Sequence, residues 1–174
     1  MAASMSDTRT RLAQALHYID GATGAVVPPI HPSTTFARDG QNNLIGFCYS
    51  REGSPTTAHA EKAIAILDGA ADAALFASGM AAINAIVETL DAGDGIVLPR
   101  VMYHGARKWM LRQEKKRGIR LTFFDAAVPG ALEQAVSAAS PKLVWVETPV
   151  NPSFDVIDIA AAAQAAHKLS LIHI

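Results

Sequence analysis

Tyr49-Ser50-Arg51 and Ser78-Gly79-Met80 are the two short stretches whose residue types and spacing could do chemistry. Both point to an anion. Arg51 offers a planar guanidinium fork that matches two phosphate oxygens, and the Tyr49 hydroxyl can donate to the same group. Ser78-Gly79-Met80 follows an apolar run at 73–77 and opens a helical pattern, so it reads as a strand-to-helix turn. The first amides of a helix have no partner within it, and the helix dipole favours negative charge there. Glycine lets a phosphate approach the backbone. Each stretch also has a plain alternative. Any such turn can carry glycine, and an arginine near a tyrosine can form a surface ion pair. The run Gly53-Ser54-Pro55-Thr56 after Arg51 makes the first stretch more specific.

The elements that must position these residues are set by apolar spacing. Residues 8–19 read as a short helix capped by Asp7 or Thr8. Across 21–46 the pattern breaks down: Pro28, Pro29 and Pro32 impose extended backbone, and Asn42-Asn43 suggests a turn. This segment is expected to be an arm that crosses another surface. Ser54 is an N-cap with Pro55 at the first helical position. Ala60, Ala63, Ile64 and Leu67 fall on one face of that helix, and Gly69 closes it. Apolar runs at 73–77, 96–98, 119–124 and 143–146 then alternate with helical stretches at 79–90, 103–117, 129–139 and 158–168. The runs are continuously apolar, which predicts strands buried on both faces: a parallel sheet with helices on both sides. The 129–139 helix shows Leu132, Ala135, Val136 and Ala139 at helical spacing. The 79–90 helix is apolar almost all round and is expected to be covered on more than one side.

Composition narrows the class. At 174 residues the chain can bury the core of one domain. It is 50% hydrophobic and 18% charged, which suits a soluble α/β protein, and its formal net charge of -1 gives no global field for nucleic acid or membrane. The stretch 100–120 is basic, but Lys108, Arg112 and Lys115 or Lys116 draw one solvated helix face, with Ala106, Trp109 and Met110 inward. That reading is preferred to a nucleic-acid surface. Cys48 is the single cysteine, so no disulfide forms within the chain; it is expected to be a buried structural thiol and fits a reducing compartment. Residues 1–11 lack an apolar signal core. The stretch 70–90 is interrupted by Asp72, Ser78, Gly79, Asn84 and Glu88, too polar for a bilayer span.

In order along the chain stand His31-Pro32-Ser33-Thr34-Thr35-Phe36, Tyr49 through Gly69, Phe76 through Ile83, Tyr103-His104-Gly105, Glu147-Thr148-Pro149-Val150-Asn151-Pro152 and Asp158-Ile159-Ala160. With these motifs the chain resembles the cysteine/methionine-metabolism (trans-sulfuration) family of pyridoxal 5'-phosphate (PLP) enzymes, which includes cystathionine γ-synthase, the cystathionine lyases and the homoserine sulfhydrylases. The resemblance implies a role for each site residue. Tyr49 and Arg51 reach into a neighbouring subunit's site and hold the PLP phosphate. Ser78, Gly79 and Met80 hold that phosphate within the same subunit. Tyr103 stacks on the pyridine ring and is the candidate for proton transfer. Asn151 lies near the phenolic oxygen. Without the resemblance, Tyr103 would read as a helix-start residue and Asn151 as a turn residue before Pro152. The family usually carries two glycines after the tyrosine; here His104 replaces the first, either altering proton traffic or facing solvent. A basic residue usually comes a few positions later, and Arg107 and Lys108 both qualify.

The resemblance also implies a lysine that holds PLP covalently and an aspartate on its pyridine nitrogen. Lys62, Lys108, Lys115, Lys116, Lys142 and Lys168 stand in helices or at element edges, none in a suitable context, and Asp155 and Asp158 suit a helix entry. The chain is therefore expected to be a C-terminally truncated fragment, inactive alone. Leu169-Ser170-Leu171-Ile172-His173-Ile174 reads as a non-native tail translated from adapter DNA, or else as an edge strand. The overall expectation is an α/β chain of fold type I, the aspartate-aminotransferase-like architecture. Residues 1–53 would be an N-terminal helix and inter-subunit arm, 54–168 the first part of the PLP-binding domain with an incomplete parallel sheet, and 169–174 the tail. The intact parent would be a cytoplasmic homodimer or homotetramer. It would perform β/γ-elimination or γ-replacement on a small amino acid such as cystathionine or an activated homoserine. The alternatives are a non-catalytic truncated paralogue that binds an anion or a partner, and a poorly folded fragment with an exposed sheet edge.

Overall fold

The computed structural model describes residues 5–168. Two compact units divide between Phe76 and Ala77. The expectation for residues 169–174 lies outside the described residues.

In the first unit, helix α1 spans Met5–Ala13, so Asp7 and Thr8 lie inside it and neither caps it. It stops short of the expected 19 because Ala15, Leu16 and His17 all take positive φ in a short 3-10 turn. Contacts of Tyr18 account for the break. Its ring packs edge-on against His59 at 5.7 Å between centroids. Its hydroxyl donates to Asp20, whose carboxylate also accepts from the Ala22 and Thr23 amides. Helix α2 spans Pro55–Asp68 with the expected termini: a Ser54–Thr57 capping box, Pro55 in the first turn and Gly69 at φ 66°. Between them the arm has no regular element. Two isolated antiparallel bridges, Thr35 with Tyr49 and Arg38 with Leu44, close it around the Asn42-Asn43 turn. There Asp39 accepts the Gln41 and Asn43 amides. The arm is tied to α2 where the His31 amide donates to Thr56 Oγ1 at 2.9 Å. Cys48 is half-buried, with the Arg38 guanidinium 3.8 Å from its sulfur.

The run 73–77 is not a strand. It has no ladder partner among the described residues, and the Leu75 amide donates instead to the Glu61 carboxylate of α2 at 2.9 Å. A strand exists only with a neighbour for its amides, and apolar composition does not supply one.

The second unit holds helix α3 (Gly79–Glu88), strand β1 (Gly95–Pro99), helix α4 (His104–Arg117), strand β2 (Arg120–Phe124), helix α5 (Ala131–Ala139), strand β3 (Leu143–Val144) and helix α6 (Ile159–His167). The sheet is parallel with order β2-β1-β3, and Ile96 pairs with Leu121 on one side and Leu143 on the other. β1 is buried along its whole length. Ile96 and Leu98 point into a cluster with Val87, Met102, Ala106 and Met110; Val97 points the other way, onto Phe124, Leu132, Val136 and Ala162. Thus α3 and α4 cover one face and α5 and α6 the other, as continuous apolar runs require. The α4 surface is also as expected: Lys108, Lys115 and Lys116 lie on its solvated side while Ala106 and Met110 are buried. α3 differs. Among its described residues only Val87 is fully buried; Met80, Ala81, Ala82, Ile83, Ala85 and Ile86 are half-buried, Met80 and Ile83 on the same cluster. Among the described residues no helix is long and apolar enough to cross a membrane.

At the amino-terminal edge of the sheet, Lys142 Nζ meets Asp94 Oδ2 at 2.8 Å, and the same oxygen accepts the Asp91 amide at 2.7 Å. The Lys142 hydrogen bond, then that amide, lower the Asp94 pKa, and Asp94 in turn raises that of Lys142. The pair therefore contributes fully at neutral pH. Its contribution is lost in acid as pH falls below the ordinary carboxylate range through Asp94's lowered pKa. It is lost in base as pH rises past the ordinary lysine range through Lys142's raised one. Asp94→Asn should remove the acid arm, read as a wild-type-minus-variant stability difference by urea titration that shrinks between neutral and acidic pH; a pH-independent difference would contradict it. In the core, Leu98→Ala should cost about 2–5 kcal/mol in the same titration.

Candidate anion site at the carboxyl edge of the sheet

β1 lies between two parallel neighbours, and the chain leaves it in one direction and β3 in the other. After β1 it passes through α4 on one face to β2; after β3 it passes into α6 on the opposite face. By topology the carboxyl ends of β1 and β3, where those loops part, are the reversal point of the sheet, the place of the crevice in an open α/β sheet. In open α/β sheets such a reversal point is where ligands bind.

Tyr103 stands on one lip of this crevice, between β1 and α4, and is 49% exposed. Its backbone amide donates to Glu147 Oε2 at 2.7 Å, and Glu147 Oε1 accepts from Trp145 Nε1 at 3.1 Å. The Tyr103 ring lies against Gly105 so closely that a Cβ there would fall 2.8 Å from Cε1, Cζ and Oη. His104, beside it, is exposed to solvent. The two basic alternatives separate. Lys108 is exposed, whereas the Arg107 guanidinium lies 5.2 Å from the Phe123 ring centroid, with Nε buried and without a partner. On the other lip, Asn151 is exposed in the turn after β3 and joins no hydrogen bond among the described residues; Val150 beneath it is buried.

The mouth of α3 is built by its cap. Ser78 is extended (φ −160°, ψ 156°), its Oγ accepts from the Ala81 amide at 3.2 Å, and its carbonyl accepts from Ala81 and Ala82. The amides left over are those of Gly79 and Met80, which donate to nothing among the described residues. Gly79 is exposed, and a Cβ on it would meet nothing within 4 Å; Met80 is half-buried. Met80 packs on the cluster that holds Met102 and Ala106, the flanks of the Tyr103 turn. Two unpartnered amides at a dipole's positive end fit a phosphate.

In the first unit, Arg51 lies 5.0 Å over the Tyr49 ring. Both are exposed, and the guanidinium has no hydrogen-bond or ion-pair partner among the described residues. Among the described lysines of the second unit, none follows the carboxyl end of a strand, and Lys168 stands at the end of α6. Lys142 is bound to Asp94 at the opposite edge, and Lys62, Lys108, Lys115 and Lys116 lie along helices.

Glu147 and Gly105 fall within the family motifs, yet residue type and spacing assigned neither a task. The signal was present for Glu147. Residues two apart on a strand share a face, a tryptophan N–H seeks an acceptor, and Glu147 stands two positions after Trp145.

The fold and site define an open α/β protein with two unpartnered amides at a helix mouth and a reversal point at the carboxyl edge of its sheet. The chain belongs to the Cys/Met metabolism PLP-dependent enzyme family, whose model matches residues 9–174; its architecture is that of fold type I. It is 44% identical to cystathionine gamma-lyase of Bos taurus over 144 residues, covering 83% of this chain and 35% of the relative. It is 34% identical to cystathionine beta-lyase of Coxiella burnetii over 164 residues, covering 94% of this chain and 42% of the relative. The crystal structure of cystathionine gamma synthase from Xanthomonas oryzae pv. oryzae, in complex with aminoacrylate and cysteine, superposes with a TM-score of 0.86 at 36% identity. That match covers 95% of this chain and 43% of the other. The chain thus spans well under half the length of these relatives.

The close seat of the Tyr103 ring has a direct consequence. Gly105→Ala should push the ring off the α4 start without unfolding the domain. NOEs between the Tyr103 ring protons and the Gly105 Hα should be present in the wild type. The same contact to the Hα of the substituted residue should be lost in the variant; its persistence would refute the seat.

Proposed function

We propose that this chain provides the phosphate-and-ring portion of a PLP site in a trans-sulfuration enzyme. The observation that carries the reading is the pair of unpartnered amides at Gly79 and Met80, at the mouth of α3. When bound, PLP supplies an electron sink for negative charge developing beside the substrate's amino group. The chain's own residues do the rest. Gly79, Met80 and the Ser78 hydroxyl bind the phosphate. The Tyr103 ring limits tilt of the cofactor ring, and its phenol, half-exposed at the crevice, is the group placed to carry a proton. Asn151, exposed and without a hydrogen bond among the described residues, would offer its side-chain amide to the phenolic oxygen.

Tyr49 and Arg51 are assigned to a neighbouring subunit's site. Their exposure, the lack of a partner for the guanidinium, and the apolar arm before them support this, since Val27 and Ile30 are 72% and 83% exposed. Such a surface suits burial against another copy, so the assembly is a dimer or tetramer. The substrate class is a small amino acid such as cystathionine or an activated homoserine, handled by β/γ-elimination or γ-replacement in the cytoplasm. The lysine that holds the cofactor is assigned to a segment other than residues 5–168, because in the second unit Lys142 is paired with Asp94 and the other described lysines lie along α4 or at the end of α6. The same placement favours a second reading, a non-catalytic module that binds PLP or another phosphate reversibly.

One titration tests the core of both. PLP added to the 15N-labelled chain should shift the Gly79 and Met80 amides saturably, and borohydride should leave the cofactor removable by dialysis. Absence of shifts at both amides would overturn the phosphate assignment. Reductive fixation onto a lysine within 5–168 would overturn the lysine assignment.

A further inference from the structure

Tyr103 ends the loop from β1, and its side chain makes no capping bond to the helix it begins. Its seat must be fixed from outside. One carboxylate does this. Glu147 Oε2 accepts the Tyr103 amide at 2.7 Å, a short distance of the kind expected when the acceptor is ionised. Its other oxygen accepts the Trp145 indole N–H at 3.1 Å. Trp145 is itself half-buried on the cluster of Ile96, Leu98, Met102 and Ala106. Core packing therefore fixes the indole, the indole orients the carboxylate, and the carboxylate holds the amide. The first turn of α4 carries no acidic residue of its own, so Glu147 is also the negative charge at that helix start. Gly105 then leaves room for the ring to lie down.

We infer that Glu147 is a positioning residue for Tyr103, acting from the segment that follows β3 and anchored by Trp145. The inference rests on the reading of Tyr103 as the ring-stacking group, but its geometry stands independently. Chemistry dictates the choice of residue. A glutamine has one acceptor oxygen and would present an NH2 to one of the two donors. An aspartate is one methylene shorter and cannot span both.

The test uses the 15N-labelled chain as wild type, Glu147→Gln, Glu147→Ala, Tyr103→Ala and the Glu147→Ala/Tyr103→Ala double variant. Without cofactor, Glu147→Gln should move at least one of the Tyr103 amide and Trp145 indole proton resonances upfield. Glu147→Ala should move both, with β1 and β2 resonances in place. With PLP, Glu147→Ala should raise the dissociation constant about threefold or more when Tyr103 is present, and by less than about 1.5-fold in the Tyr103→Ala background. Unmoved resonances in Glu147→Gln would overturn the inference, and that variant keeps the test open if alanine prevents folding. Equal losses of affinity in both backgrounds would also overturn it, because a merely structural residue would act regardless of Tyr103. If the wild type binds no PLP, the cofactor reading falls while the resonance shifts still decide the role of Glu147.

Discussion

Strand β1 is hydrogen-bonded along both edges and covered on both faces. Every residue from Gly95 to Pro99 is buried, and alternate side chains feed two separate clusters. That double burial selects apolar residues throughout and leaves the strand no face for solvent. It also forces a reversal. The helix that leads from β1 to β2 and the helix that leads from β2 to β3 travel in opposite directions, and right-handed crossovers then place them on opposite faces of the sheet. The crevice is what remains at the carboxyl edge where these paths separate. No residue in it needs to be unusual for the opening to exist.

What the crevice binds is then decided by the groups at its rim. Helix termini do much of this work at low cost. α3 offers amides that its own cap leaves free, and a phosphate needs donors in open space with a positive dipole end behind them. The opposite edge of the sheet is built the other way: Asp94 holds both Lys142 and the Asp91 amide, so the lysine's charge is structural. The two edges therefore divide labour, one closed by ion pairing and one left open. In the separate N-terminal unit, Arg51 keeps its guanidinium over the Tyr49 ring, a state that costs little at the surface and leaves the charge available.

Much of this was legible in the residues themselves where the cause is local. Ser54, Pro55 and Gly69 bracket α2 because caps act within a few residues, and the solvated face of α4 comes from helical spacing alone. Continuous apolar runs identified the parallel sheet. What failed depended on distant partners. Residues 73–77 have strand composition, yet the Leu75 amide went to Glu61 in place of a ladder. The first helix broke because Tyr18 packs on His59, 41 positions away in the chain. α3 looks buried all round, but its apolar side chains other than Val87 are only half-buried. Of the Glu147 bracket, the Trp145 half had a local signal, but nothing local announces that the carboxylate will also meet an amide 44 residues earlier.

The location of the bound phosphate is the most direct check on this arrangement. A crystal structure of the chain grown with pyridoxal 5'-phosphate should place the phosphorus before α3, its oxygens within hydrogen-bonding reach of the Gly79 and Met80 amides, and the pyridine ring beside Tyr103. Phosphate bound instead at the Asp94–Lys142 edge, or anywhere away from the α3 mouth, would contradict it.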